Sequence, residues 1–177
     1  MNASQRIAGR ASPSLRLAGL IAVLIAGLAT GCGQKPSEPA ANVPAVPTEP
    51  ATSSSRDFGD HVLYFNAIRT DTLTPEVATN YGIVRSANRG LVNISMVKKA
   101  EGSPGIPVPG IVNVQAVNLN GQFKDLTLRE VREGKAIYYI GDVGVANDET
   151  LVFTVDATPE GASTPLSVKF QRQFVGG

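Results

Sequence analysis

The stretch ETLVFTVDATPEGASTPLSVKFQRQF, residues 149–174, contains two regular segments and the turn between them. Every second residue of each segment is apolar: Leu151, Phe153 and Val155, then Leu166, Val168 and Phe170. This period of two predicts half-buried antiparallel strands. The connection TPEGAST contains Pro and Gly, so the pair is predicted to form a β-hairpin.

Five more segments upstream have the same character: 61–68, 91–97, 111–118, 124–131 and 135–141. Gly121 and Gly134 lie in short joints that are typical of hairpin turns. About seven antiparallel strands at close spacing predict an all-β fold, an immunoglobulin-like β-sandwich, with a small barrel as the alternative.

One segment, LTPEVATNYG (73–82), has the pattern of a helix. Thr74 is placed as N-cap, Pro75 at the first helical position, Glu76 in the first turn and Gly82 at the end. The helix has two turns at most, so we expect a crossover or a lid on the sandwich.

The N-terminus has the three parts of a secretory signal peptide, predicted over residues 1–31. Arg6, Arg10 and Arg16 precede an apolar or glycine run from Leu17 to Ala29, and small residues end that run. The apolar run is shorter than the about 20 residues that span a bilayer, which disfavours the alternative of a retained transmembrane anchor.

Cys32 is the only cysteine of the chain and follows Ala29-Thr30-Gly31 directly. This arrangement resembles the bacterial lipobox, although Ala stands where Leu is usual. The resemblance implies that Cys32 begins the mature protein and carries a diacylglycerol and a further acyl chain such as palmitate. Two or more chains give stable membrane anchoring. Gly33 after the cysteine favours the outer membrane, facing the periplasm.

Residues 32–55 are predicted to be the lipidated cysteine and a Pro-rich disordered tether, with proline at positions 36, 39, 44, 47 and 50. In polyproline II form the tether would reach on the order of 70 Å. Residues 56–177 form the predicted globular domain, with 12 Lys and Arg against 13 Asp and Glu, a net charge of −1. That balance disfavours a nucleic-acid surface.

Residues suited to catalysis are scarce. His61 is the only histidine of the chain, the domain has no cysteine, and no G-x-S-x-G motif is present. A hydrolase acting on envelope material would need His61 beside an acid such as Asp60 or Asp142. Otherwise His61 is structural or exposed, and we predict that the domain is not an enzyme and uses no cofactor.

A metal site is not predicted either. Met96 alternates with Val92 and Ile94 as a core residue would. The loop GDVGVANDET (141–150) offers three acids to a hard cation such as calcium, but its spacing matches no EF-hand loop. These acids are Asp142, Asp148 and Glu149.

Four residues are candidates for ligand binding: Arg85, Arg89, Asn93 and Tyr139. Two guanidinium groups in one connection could clamp an anion, or could pair with acids such as Glu76 or Glu130 and brace the loop. Tyr138 and Tyr139 point to opposite faces of one strand, so one is expected in the core and the other exposed as a contact residue.

Four segments in order resemble the DUF4426 family of small exported proteobacterial domains: LTPEVATNYG, RSANRGLVNIS, REGKAIYYI and ETLVFTV. The resemblance runs from about Phe58 to Phe174. It implies an exported all-β domain and supplies no catalytic residue. Many members carry a cleaved signal without lipid, so the tether here is an elaboration.

The leading hypothesis is therefore a lipid-anchored module of the bacterial cell envelope. It would bind an envelope protein or polymer through the face that bears Arg85, Arg89 and an exposed tyrosine. The envelope hydrolase is the alternative.

Overall fold

The computed structural model describes residues 45–176. The predicted signal peptide, Cys32 and the tether up to residue 44 lie outside the described residues. Within the described range no helix is long and apolar enough to cross a membrane. The elements are β1 (Ser55–Asp57), β2 (His61–Arg69), a 3-10 turn (Thr70–Thr72), α1 (Pro75–Asn80), β3 (Arg89–Lys98), β4 (Ile106–Pro107), β5 (Gly110–Asn118), β6 (Phe123–Lys124), β7 (Arg129–Glu133), β8 (Ala136–Gly144), β9 (Glu149–Pro159) and β10 (Leu166–Phe174).

The strands form two antiparallel sheets that pack face to face. The first sheet has the order β1-β2-β3-β8-β7, with β4 also paired to β3, and the second has the order β10-β9-β5-β6. The seven longer strands divide into β2-β3-β8-β7 and β5-β9-β10, which is the four-plus-three order of a constant-type immunoglobulin domain. The predicted immunoglobulin-like sandwich is confirmed.

The predicted hairpins around Gly121, Gly134 and Gly161 are present, joining β5 to β6, β7 to β8 and β9 to β10. The predicted strand over 124–131 is wrong in its bounds, because β6 ends at Lys124 and β7 begins only at Arg129. Leu126 and Leu128, which suggested the strand, pack against the core from a loop. They fit beside Gly141, where a Cβ would lie 2.9 Å from Leu126 and 3.0 Å from Leu128.

The core is centred on three phenylalanines from both sheets. Phe170 lies 4.8 Å from Phe65 of the first sheet and 5.0 Å from Phe153 of the second, measured between ring centroids, and all three rings are buried. Met96 is fully buried beside them, as predicted. Burial of large apolar and aromatic side chains therefore joins the sheets in a domain with no cysteine and no tryptophan.

A second connection between the sheets is polar. The Tyr139 hydroxyl of β8 accepts a hydrogen bond from Gly110 N of β5 at 2.8 Å and lies 3.0 Å from Gly110 O. Only glycine fits at position 110, because the Cβ of any other residue would overlap the carbonyl oxygen of Thr158. Burial, opposed in part by the Gly110 hydrogen bond, raises the pKa of Tyr139 and keeps it neutral.

The end of the predicted tether is not a free linker. Thr48 pairs with Lys169 at the edge of the second sheet, and Glu49 N donates to Lys169 O at 2.6 Å. Arg172 donates to Ala51 O at 2.7 Å and to Ser53 O at 2.5 Å. As the edge strand of its sheet, β10 has main-chain groups on one side that no other strand uses, and the segment from Thr48 to Ser53 lies against that side. Ordered contacts of the domain therefore begin before residue 56.

Phe170→Ala should lower the free energy of unfolding by about 3–5 kcal/mol, because the change removes the ring that contacts both sheets. Gln171→Ala, on the exposed face of the same strand, should change it by less than about 0.5 kcal/mol. Denaturant titration followed by circular dichroism measures both values. Equal effects of the two changes would contradict the central position of Phe170.

Candidate functional site

A covered groove lies on the outer face of the first sheet. The chain leaves β2 at Arg69 and returns at Arg89 in β3, and residues 70–88, here called the flap, include the 3-10 turn and α1. The predicted helix is confirmed: the Thr74 side chain accepts from Val77 N at 3.3 Å, Pro75 is the first residue, and Gly82 follows with a positive φ of 61°.

Thr70 closes the neck of the flap. Its side chain is fully buried, and its hydroxyl lies 2.9 Å from Val84 O and accepts from Ser86 N at 2.9 Å. Beside it, Arg69 pairs with Asp71, and this hydrogen bond lowers the pKa of the Asp71 carboxyl. The Thr70 hydroxyl therefore connects the first residue of the flap to Val84 and Ser86 near its other end, which limits how far the flap can move.

The far end of the flap is fixed to β7. The Tyr81 hydroxyl donates to the Glu133 carboxylate, and the Arg129 guanidinium donates to Tyr81 O. The hydrogen bond to Glu133 raises the pKa of Tyr81, so the hydroxyl remains a donor at neutral pH. The flap is thus attached at both ends, with its middle over β3.

The groove between flap and sheet has a volume of about 290 Å³. Its floor is made by outward-facing residues of β2, β3 and β8, and its roof by the flap. The described residues that line it carry no charge: Asn66, Ile68, Leu91, Asn93, Tyr138 and Ile140 below, with Leu73, Val77, Tyr81 and Ile83 above. Ile140 is only 6% exposed although it faces outward, because the flap covers it.

Asn93 lies at the centre of the groove floor. It is opposite Asn66 of β2 on one side and Ile140 of β8 on the other. Its side-chain oxygen Oδ1 is buried, and no donor in the described part of the chain forms a hydrogen bond with it. Asn66 differs, because its Oδ1 accepts from Ala67 N at 2.9 Å. A buried acceptor without a donor is costly, and it is the most unusual polar group of the groove.

The same face continues into a second depression, of about 380 Å³, on the other side of Asn93. The two depressions share Asn66, Asn93 and Tyr138, and the second adds Tyr64 and Pro107 among others. Asn93 therefore stands between two connected hollows on one sheet face.

The structure separates the predicted binding residues. Arg89 pairs with Asp142 in β8, and Arg85 donates to Asp71 O at 2.8 Å, so both brace the flap and its exit strand. These partners are Asp142 and the main chain of Asp71, rather than the expected Glu76 or Glu130. Neither arginine lines the groove, whereas Asn93 does.

Of the two neighbouring tyrosines, Tyr139 is the core residue, at 6% exposure, and it does not serve as the exposed contact residue. Tyr138 takes the outward position and lines the groove. The alternation predicted that one tyrosine would be buried but could not say which, because that depends on the phase of β8 relative to the core.

His61 forms a hydrogen bond to Asp60, with 2.8 Å between Nδ1 and the carboxylate. This bond lowers the pKa of Asp60. His61 and Asp60 line a separate depression, which Ser163 and Thr164 also line. Among the described contacts, however, the only side-chain hydrogen bond of His61 is to Asp60. The Asp60 side chain is 74% exposed, unlike the buried carboxylate that orients a catalytic histidine.

The acids proposed for a hard cation have other partners. Asp142 pairs with Arg89, and Glu149 pairs with Lys124 at 2.7 Å and accepts from Ala146 N at 2.8 Å. In residues 45–176 no group of three or more His, Cys, Asp or Glu is placed to hold a metal.

Sequence reasoning missed the groove. Its aliphatic floor comes from Ile68, Leu91 and Ile140, which stand at outward positions where an uncovered sheet would have polar residues. Apolar outward residues, together with a short helix that bears Val77 and is followed by Tyr81, were a usable signal that the helix covers this face.

Comparison with known proteins identifies the family. Residues 55–175 match the family described as Domain of unknown function (DUF4426), so the chain belongs to it, and the predicted resemblance is confirmed. A solved DUF4426 family protein from Pseudomonas aeruginosa PAO1 is 29% identical, with a TM-score of 0.58 over 70% of this chain and 94% of that one.

A second solved structure is more distant. FetP from uropathogenic E. coli strain F11, expressed recombinantly in the periplasm of E. coli BL21(DE3), is 13% identical, with a TM-score of 0.49 over 70% of this chain and 93% of that one. The chain matches none of the curated proteins.

Thr70→Val should destabilise the protein by about 1–3 kcal/mol, because it removes the hydroxyl that contacts Val84 and Ser86 while keeping the shape of the side chain. Thr79→Val, an exposed change on α1, should alter stability by less than about 0.5 kcal/mol. Denaturant titration gives both values. If Thr70→Val matched Thr79→Val, the buried neck would not hold the flap.

Proposed function

We propose that this member of the DUF4426 family is a lipid-anchored protein of the bacterial cell envelope, and that its β-sandwich is a non-enzymatic binding module. The groove beneath the flap is its binding site. The partner is an envelope protein or polymer. The anchor faces the periplasm, most simply from the outer membrane.

The envelope location is supported by the N-terminal sequence. A basic segment, a short apolar run and small residues before Cys32 form the pattern of an exported lipoprotein. The Pro-rich tether then gives the domain reach from the membrane. The described segment from Thr48 to Ser53 contacts β10 of the second sheet, and none of these six residues lines the groove of the first sheet.

The single observation that carries the binding role is the covered apolar groove around Asn93. An outward sheet face of a free-standing domain is normally polar, yet this one has aliphatic residues, a roof held at both ends and a buried oxygen, Asn93 Oδ1, that has no donor among residues 45–176. A concave, mostly apolar site with few polar groups is the usual form of a binding pocket.

The hydrolase alternative has less support. His61 and Asp60 are adjacent and hydrogen-bonded, which a catalytic pair requires, but no hydroxyl is bonded to His61 among the described residues and Asp60 is exposed. The residues of the groove offer no nucleophile with a base.

Cys32→Ala should abolish incorporation of an alkyne-labelled palmitate, because Cys32 is the only cysteine of the chain and the predicted site of both acyl attachments. Ser37→Ala, in the tether, is the control and should leave the labelling unchanged. In-gel fluorescence of the purified protein measures both. Unaltered labelling of Cys32→Ala would contradict lipid anchoring.

A photoreactive amino acid at Val77, on the groove rim, should capture one envelope partner in living cells. The same residue at Val84, which is 67% exposed on the flap but outside the groove, and at Ile111, which is 69% exposed on the second sheet, should not. Mass spectrometry of the adducts identifies the partner. Equal capture at the three positions, or envelope hydrolysis that His61→Ala removes, would contradict the proposal.

A further inference from the structure

We infer that residues 48–53, here called the strap, form a releasable clasp that Arg172 holds against β10. The strap detaches as a unit while the sandwich stays folded, and its release lengthens the tether. The clasp is independent of the groove and of any partner. Only its effect on the distance between domain and membrane rests on the proposed lipid anchor.

Few main-chain hydrogen bonds hold the strap. Its one described pairing with β10 is the parallel bridge between Thr48 and Lys169, beside which Glu49 N donates to Lys169 O at 2.6 Å. By contrast, β9 pairs with β10 along the whole length of that strand. Pro47 and Pro50 stand on either side of the bridge, and proline cannot donate to a ladder. The strap is therefore a short contact and not a further strand of the sheet.

Apolar burial contributes little to the strap. Its sequence, TEPATS, has no large apolar side chain; Glu49 and Ser53 are half-buried and the other four residues are exposed. Burial of apolar surface is the dominant favourable term in folding, so the sandwich gains little stability from these residues. Segments with few buried contacts and exposed hydrogen bonds open at a lower free energy than the whole domain. We therefore expect the strap to open before the sandwich does.

Arg172 is the main fixing point of the strap. It occupies an inward position of β10 between the buried Phe170 and Phe174, and its guanidinium lies 5.2 Å from the centre of the Phe170 ring. It donates to Ala51 O at 2.7 Å and to Ser53 O at 2.5 Å. Among the described residues it has no carboxylate partner. Because hydrogen bonds from a charged donor are stronger than neutral ones, these two carbonyls are the firmest contacts of the strap.

The same arginine permits release. Since β10 is an edge strand, the long side chain of Arg172 reaches water once the strap has left, and water replaces the two carbonyl acceptors. The other side-chain contact of the strap is weak, because Arg56 Nη1 lies 3.1 Å from Glu49 Oε1 without the geometry of a hydrogen bond. Detachment therefore leaves no charge buried without a partner.

Release changes the length of the tether and the place where it meets the domain. The docked strap begins beside Lys169 of the second sheet. The released strap ends at Ser54, whose carbonyl oxygen accepts from Phe65 N of the first sheet at 2.9 Å and so remains attached. Six residues in polyproline II form add on the order of 20 Å of reach. One tether thus supplies two lengths and two points of attachment.

The test is site-resolved hydrogen exchange, measured by NMR on the full chain as isolated from cells. The Glu49 amide reports on the strap, and the Phe153 amide of β9, which lies between β10 and β5, reports on the sandwich. We expect Glu49 to exchange at least 100-fold faster than Phe153 and at least tenfold slower than in an unfolded peptide of the strap sequence. Exchange equal to Phe153 would overturn release, and exchange equal to the peptide would overturn docking.

Two variants assign the role of Arg172. Arg172→Leu keeps an apolar side chain beside Phe170 and removes the donors, so it should speed exchange of the Glu49 amide at least tenfold and leave Phe153 within threefold. Gln173→Ala, at the exposed neighbouring position, should leave both rates within threefold. If Arg172→Leu sped both amides equally, or changed neither, Arg172 would not be the residue that holds the strap.

A cross-link tests detachment without relying on Arg172. Thr48→Cys together with Lys169→Cys places two thiols at opposed positions of the bridge, and mass spectrometry verifies the disulfide between them. The oxidised protein should exchange the Glu49 amide at least tenfold more slowly than the reduced protein. Equal rates would mean that this amide exchanges without detachment, which would overturn the clasp.

These outcomes are separate from those of the proposed function. A strap that opens only with the sandwich, together with capture of a partner at Val77, would overturn the clasp and leave the binding role. A strap that opens, without capture at Val77, would overturn the binding role and leave the clasp.

Discussion

The packing of Phe65 against Phe170 and Phe153 is the interaction on which the other features of this structure depend. It joins the two sheets across their interface in a domain that has neither a cysteine nor a tryptophan. The hydrogen bonds between Tyr139 and Gly110 add a polar link between the same sheets. With the inner faces fixed in this way, the outer face of the first sheet is set in place as a rigid floor, and the flap can be attached to it at Thr70 and Tyr81.

That rigid floor explains the character of the site. Strands β2, β3 and β8 use their main-chain groups on each other, so what they offer to a partner is side chains alone. The flap adds an aliphatic roof and removes solvent from the floor. The proposed binding site lies between a sheet and a flap attached at two points, so it would need little reorganisation on binding, and such preorganisation reduces the entropic cost of association.

The sequence predicted the sandwich well because β9 and β10 alternate strictly and the hairpin turns carry glycine. The short helix was equally predictable from Thr74, Pro75 and Gly82, since capping is a local property. The strand predicted over residues 124–131 was wrong because the alternation of Leu126 and Leu128 indicates that these side chains are buried, and does not indicate that their main chain pairs with another strand. The groove was not predicted because the sheet face that the flap covers is a tertiary property, and the sequence indicated it only through apolar Ile68, Leu91 and Ile140 at outward positions. Asn93 was named as a candidate, but the lack of a donor to its Oδ1 within the described residues is visible only with its neighbours in place.

The central claim is that the groove face of the first sheet is occupied in the envelope. Hydrogen exchange measured by mass spectrometry on the anchored protein in isolated envelope vesicles, compared with the purified protein, tests it most directly. The account predicts slower exchange in the flap around residues 73–83, with unchanged exchange in β5, β9 and β10 of the second sheet. Equal exchange of the flap in both preparations, or protection confined to the second sheet, would contradict it.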